Sequence, residues 1–224
     1  MASEVDISNL ALSHLGDDAT VSSLSPPEGS AQAQHCATFY PIARDSLLEQ
    51  HDWGFATRRE ALVELSITDP TGEWQFAYTL PNLCIRPIEI HPPATLGATT
   101  LTSYPGSTLA ATNTFLNAGA ATDFTVETDA SGNKILWTNQ ESAALMFLAK
   151  VSDTGRFSPL FTDTLTWYLA AYLAGPVLKG DVGRAEAKGC MAIAMQLKGQ
   201  AVASDANQRS RTNVTPPADW IAGR

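Results

Sequence analysis

The stretch from Leu165 to Leu178 limits what the rest of the chain can do. Leu165, Trp167, Tyr168, Leu169, Ala170, Ala171, Tyr172, Leu173 and Ala174 are apolar nearly all round a helix, and Gly175-Pro176 interrupts the run. A bilayer span needs about 20 such residues, so this run is too short to cross one. A helix without a polar face has to be buried on every side, by its own chain or by a neighbour. The helices at the two ends of the chain are therefore expected to meet in space.

Composition sharpens this expectation. Charged residues are 17% of the 224, against 44% apolar. The usual charged share is about 25%, and the apolar content is ample for a folded core. A chain with so little charge is expected to associate with copies of itself or with partners. The 14 basic and 23 acidic side chains leave a net charge of −9, which argues against gripping nucleic acid through its phosphates. An acidic body can still border DNA if its task is not to stick to it. Cys36, Cys84 and Cys190 are far apart and form no CxxC pair. They suit reduced, buried thiols rather than a zinc or disulfide framework. Glu4 and Asp6 stand where a secretory leader carries positive charge.

Periodicity predicts a first helix from Glu4 to Leu15, closed by Gly16, and a Ser- and Pro-rich connector from which Val21 and Leu24 tuck back onto the core. A second helix is predicted over Gly29 to Gln50, with Ala33, Cys36, Ala37, Tyr40, Ala43 and Leu47 on one face and Pro41 inside. Residues 53–65 read as irregular, then strand. Trp74 to Tyr78 suits a half-buried edge. Strands are expected at Leu83–Ile90, Asp123–Thr128, Lys134–Thr138 and Ala143–Val151, in one small sheet of about four. Pro87 is tolerable only on an edge or at a bulge. The uncharged loop at 94–122 separates two of them. A helix from Pro159 to about Ala174 and a last one from Val182 to about Ala203 follow. The fold class expected is α+β, mainly α: a four-helix bundle body with a small inserted antiparallel sheet, a long loop and an extended C-terminal arm. The parts are residues 1–65 and 156–204 for the body, 66–155 for the β insertion and 205–224 for the arm.

No motif points to catalysis. The glycines near Gly175, Gly180 and Gly183 form neither a phosphate loop nor a dinucleotide fingerprint. His35 and Cys36 are adjacent, about 100° apart on a helix, and do not pair directly as base and nucleophile. His14, His35, His51 and His91 lack helical metal-site spacing. No catalytic residue, metal or cofactor is expected. The aromatic residues Trp53, Phe55, Trp74, Phe76 and Tyr78 read as one core joining the helix end to the sheet.

Four stretches carry a family likeness. The first is Asn9-Leu10-Ala11-Leu12-Ser13-His14-Leu15-Gly16 with Val21-Ser22-Ser23-Leu24. The second runs from Tyr40-Pro41-Ile42-Ala43-Arg44-Asp45 into Asp52-Trp53-Gly54-Phe55-Ala56. The third is Trp74 to Arg86, with Tyr78-Thr79-Leu80-Pro81. The fourth is Val151-Ser152-Asp153 with Phe157-Ser158-Pro159-Leu160-Phe161 and Leu169-Ala170. In this order they resemble the head-to-tail adaptor proteins of tailed bacteriophages, the tail tubular protein A type. That resemblance implies a virion structural protein at the head-to-tail interface, made in the host cytoplasm. It implies a ring, usually of twelve copies, between the portal protein and a tail nozzle or other tail protein, with genome DNA passing through the channel without specific binding. Trp53, Phe55, Tyr78, Pro81 and Phe161 are the family-motif core. Trp167, Tyr168, Tyr172 and Leu173 are expected to divide between subunit core and contact with a neighbour. Arg209, Arg211, Trp220 and Arg224 would form a portal-binding arm, and the sheet and the 94–122 loop would face the tail. The competing expectation is a virion-associated cell-wall hydrolase using Asp and Glu acids.

Overall fold

The computed structural model describes residues 2–91, 122–129 and 131–208. The chain divides into two compact units. One is helical and is built from both ends, Met1–Phe55 and Ser152–Arg224; the other is the intervening Ala56–Val151.

In the helical unit α1 spans Glu4–His14, α2 Ala31–Glu49, α3 Pro159–Leu178 and α4 Gly180–Asn207. Their starts follow from capping chemistry. Ser3 and Asp6 form a reciprocal capping box, and Ser30 and Ser158 accept hydrogen bonds from the amides of Ala33 and Phe161. Gly16, at φ 72°, closes α1 in the left-handed conformation that favours glycine. Asn9 then ties the connector down: its amide donates to the Val21 carbonyl at 2.9 Å and its carbonyl accepts from the Val21 amide at 2.7 Å. Val21 and Leu24 are buried as expected.

α3 packs against α1, α2 and α4. The apolar helix is thus covered by its own chain, and its composition by itself calls for no neighbour. It also runs through Gly175-Pro176 to Leu178, four residues beyond the expected end. Proline here removes one hydrogen bond near the helix terminus, and α4 packs close by: a Cβ on Gly183 would lie 2.7 Å from the Ala174 carbonyl oxygen. Lys179, at φ 58°, is at once the last cap of α3 and the first of α4. α4 starts earlier and ends later than the periodicity predicts, so residues 205–207 of the expected arm are helical.

The second unit overturns the expected fold class. It is not a small sheet set in a four-helix bundle. Seven strands among the described residues form two antiparallel sheets: β1 (Thr57–Ala61), β7 (Ala144–Ala149) and β4 (Cys84–His91) in the order β1-β7-β4, and β2 (Val63–Leu65), β3 (Phe76–Thr79), β6 (Lys134–Thr138) and β5 (Phe124–Thr128) in the order β2-β3-β6-β5. Nor do the helices form a bundle around a common core: three of them pack on α3. The strands predicted from 83 to 151 exist, but they are shared between the two sheets. Leu62 marks the division. Its amide donates to the Ala143 carbonyl at 2.9 Å, while β1 pairs with β7 and β2 pairs with β3.

β3 is an interior strand between β2 and β6, not an edge. β4 is an edge, with a register shift between Pro87 and Glu89, which is where proline is tolerated. Tyr78, Ile90, Leu136, Leu145 and Phe147 share one core drawn from both sheets. On the other face of β3 and β6, Ala77, Ile135 and Trp137 form a second, with Trp74 against it. Residues 94–121 of the expected 94–122 loop lie outside the described residues.

Candidate assembly surface

The helical unit holds the family-motif aromatics of both chain halves together. Trp53 is fully buried; its ring meets Phe161 edge-on at 5.0 Å, and Phe55 contacts Phe157 and Phe161 at 5.7 and 5.0 Å. The Trp53 indole donates to the Leu47 carbonyl at 3.1 Å, anchoring it to the end of α2. Tyr78 and Pro81 belong to the β unit. There the Tyr78 hydroxyl donates to the Gln140 carbonyl at 2.9 Å and accepts from the Ala143 amide. The single aromatic core predicted for Trp53, Phe55, Trp74, Phe76 and Tyr78 is therefore three clusters. Trp53 and Phe55 join Phe157 and Phe161, whereas Tyr78 with Phe76 and Trp74 sit on opposite faces of a sheet. Phe76 and Tyr78 share a face because they alternate along β3, whereas Trp74 lies before the strand begins and packs against the other face.

Of the predicted interface or core residues on α3, Leu173 and Tyr168 are buried, while Trp167 and Tyr172 are half-buried. Trp167 stacks on the His14 ring at 3.8 Å. The His14 pKa lies below its ordinary value because burial disfavours the imidazolium, an effect that the nearby Asp163 carboxylate partly opposes. Tyr172 stacks on Phe39, and the Tyr168 hydroxyl receives the Gln50 amide at 3.2 Å. Lys198 donates to Gln50 at 3.0 Å, so this polar chain links α2, α3 and α4.

At the far end of α4, Asp205 accepts from the Gly54 amide at 2.9 Å and lies 3.2 Å from the His51 imidazole. The residue is buried, and it pins the end of α4 to the segment after α2. Arg209, Arg211, Trp220 and Arg224, the predicted arm, lie outside the described residues.

α4 is about 42 Å long at 1.5 Å per residue. Its buried positions are only Gly183, Cys190, Ala194, Ala201 and Asp205. The spacing of seven and four marks one narrow seam of mostly small residues, which lets the helix approach α3 closely. Met191 and Ile193 stay outside that seam: Met191 is half-buried and Ile193 is 39% exposed. Met195, 40% exposed, joins them. Together with Ala171, Tyr172, Ala187, Lys188 and Ala192, the two methionines line an open apolar groove of about 510 Å³. A second cavity, of about 380 Å³, is lined by Leu10 and His14 of α1, Phe157, and Thr162, Asp163 and Thr166 of α3, among others. Sequence reasoning missed Asp163, Lys188, Asp205 and the His14–Trp167 stack. Only Asp205 had a visible signal, the continuation of the seven-and-four spacing.

Among the described residues no helix is long and apolar enough to cross a membrane, and no cluster of three His, Cys, Asp or Glu side chains could hold a metal ion. No protein-family model and no curated protein sequence matches the chain.

Proposed function

We propose that this chain is a virion structural protein of the head-to-tail adaptor kind, a subunit of a ring between the portal and the tail. The observation that carries this reading is the exposure of α4. A 28-residue helix is held along one narrow seam and leaves Val182, Ile193 and Met195 to the outside. Met191 and Met195 line an open apolar groove with Ala171 and Tyr172, and exposed apolar surface of that kind marks sites of protein association. The likeness of the four sequence stretches to the adaptor family names the assembly. In support, Asn9, Trp53, Phe55 and Phe161, all within those stretches, hold the helical unit together through side-chain hydrogen bonds and ring contacts.

A net charge of −9 on each subunit suits a channel through which DNA slides, because a wall of the same sign repels the phosphates. In this reading Arg209, Arg211, Trp220 and Arg224 bind the portal, with the indole as anchor and the guanidinium groups facing acidic side chains. Electron microscopy of portal-bearing capsids mixed with the purified full chain tests the proposal. The expected result is a ring of added density at the exit vertex. Capsids that stay bare at saturating protein would overturn it.

A further inference from the structure

The helical unit carries two apolar depressions, each with one uncompensated charge, and the charges have opposite sign. In the groove on α4 the charge is Lys188, which is exposed and has no ion pair or hydrogen bond from its ammonium among the described residues. In the cavity beside α1 it is Asp163, exposed and likewise without a cationic partner. Its field acts on His14, which burial keeps biased toward the neutral form. Leu10, beside Asp163, is 47% exposed.

The two depressions cannot close on each other within one molecule. The cavity uses Thr162, Asp163 and Thr166 of α3, and the groove uses Ala171 and Tyr172. Asp163 and Tyr172 are nine residues apart, and at about 100° per residue that places them on opposite faces of the helix. Two complementary patches on opposite faces are the requirement for a head-to-tail contact between identical copies, which closes into a ring when the rotation permits. Pairing of like faces is disfavoured by charge. A groove set on a second groove would bring two Lys188 ammonium groups to one contact, and a cavity on a second cavity would bring two Asp163 carboxylates.

We infer that the α4 groove of one copy, with Met191, Met195 and Lys188, docks on the Leu10–Asp163 cavity of the next. This inference rests on the adaptor reading and names its subunit contact. The methionines suit the role, because an unbranched thioether fills an irregular apolar cavity at little conformational cost. Lys188 and Asp163 supply the register, since a charge buried at a contact without its partner is strongly disfavoured.

The test is charge reversal on the full chain. Lys188→Glu, Asp163→Lys and the double variant are compared with wild type by sedimentation velocity over a range of concentrations, with helical circular dichroism confirming the fold. Each single reversal is expected to weaken self-association by about tenfold or more, and the double reversal to restore it. Singles that assemble like wild type, or a double that fails to recover, would overturn the inference and leave ring formation standing. A wild-type chain that stays monomeric throughout overturns it too, and leaves the adaptor reading to its own test at the exit vertex.

Discussion

Three glycines in one helix should respond to the same substitution with opposite signs. Gly183, Gly189 and Gly199 all lie within α4, and none has a positive φ. Replacing an exposed helical glycine by alanine gains about 1 kcal/mol, because the unfolded chain loses freedom and the helix gains a better former. A Cβ at Gly189 or Gly199 meets nothing within 4 Å, so that gain is expected in full. A Cβ at Gly183 lies 2.7 Å from the Ala174 carbonyl oxygen and 3.5 Å from Gly175 Cα, both backbone atoms. Forcing the helices apart costs about 1–3 kcal/mol, as for other overpacked sites. The propensity gain offsets part of this, leaving Gly183→Ala about 1 kcal/mol less stable than wild type. For a chain of this length 1 kcal/mol corresponds to roughly 2–4 °C in Tm. Thermal unfolding followed at 222 nm should therefore place Gly183→Ala below wild type and Gly189→Ala and Gly199→Ala above it. If Gly183→Ala is as stabilising as Gly199→Ala, the close approach of α3 and α4 is wrong.

Two further outcomes are expected. Asp205→Ala removes a carboxylate that receives the Gly54 amide and adjoins His51, so a loss of about 2 kcal/mol is expected, with Asp205→Asn losing less; urea unfolding measures both. Burial pushes the Cys36 and Cys84 thiols up to about 11. At pH 8 only about one in a thousand of each is then thiolate, the reactive form, so a disulfide reagent should label the folded chain slowly and label it quickly in urea. Rapid labelling of both in the folded state would contradict their placement.

Local chemistry carried the helical part of the reading. Ser3 and Ser158 each precede a predicted helix and each caps one, Ser30 caps α2 just inside its predicted start, and Gly16 closes the first where a left-handed residue is needed. The turn at Asp129–Asn133 joins β5 to β6 as its Gly and Asn suggest. These signals act over a few residues, so they survive without knowledge of the rest. Sheet membership was not legible. Thr57–Ala61 and Val63–Leu65 are separated by one residue yet pair with strands far apart in the chain, β7 and β3. Pairing of that kind is settled by which faces can be buried together, and a strand's own residues do not state it. The end of α3 was misplaced for a related reason. Gly175-Pro176 is a stop signal taken alone, and the packing of Gly183 against that turn outweighs it.

The order of helices and strands, the acidic balance, the caps and the separation of the three thiols were settled by the amino acids themselves, since each depends on side-chain type or on neighbours within about one turn. The tertiary structure alone decided that α3 is covered by its own chain, that the strands divide between two sheets, and that Lys188 and Asp163 stand without partners among the described residues, on opposite sides of α3. Burial and charge compensation are properties of atoms brought together from distant positions, and no local pattern encodes which of them meet.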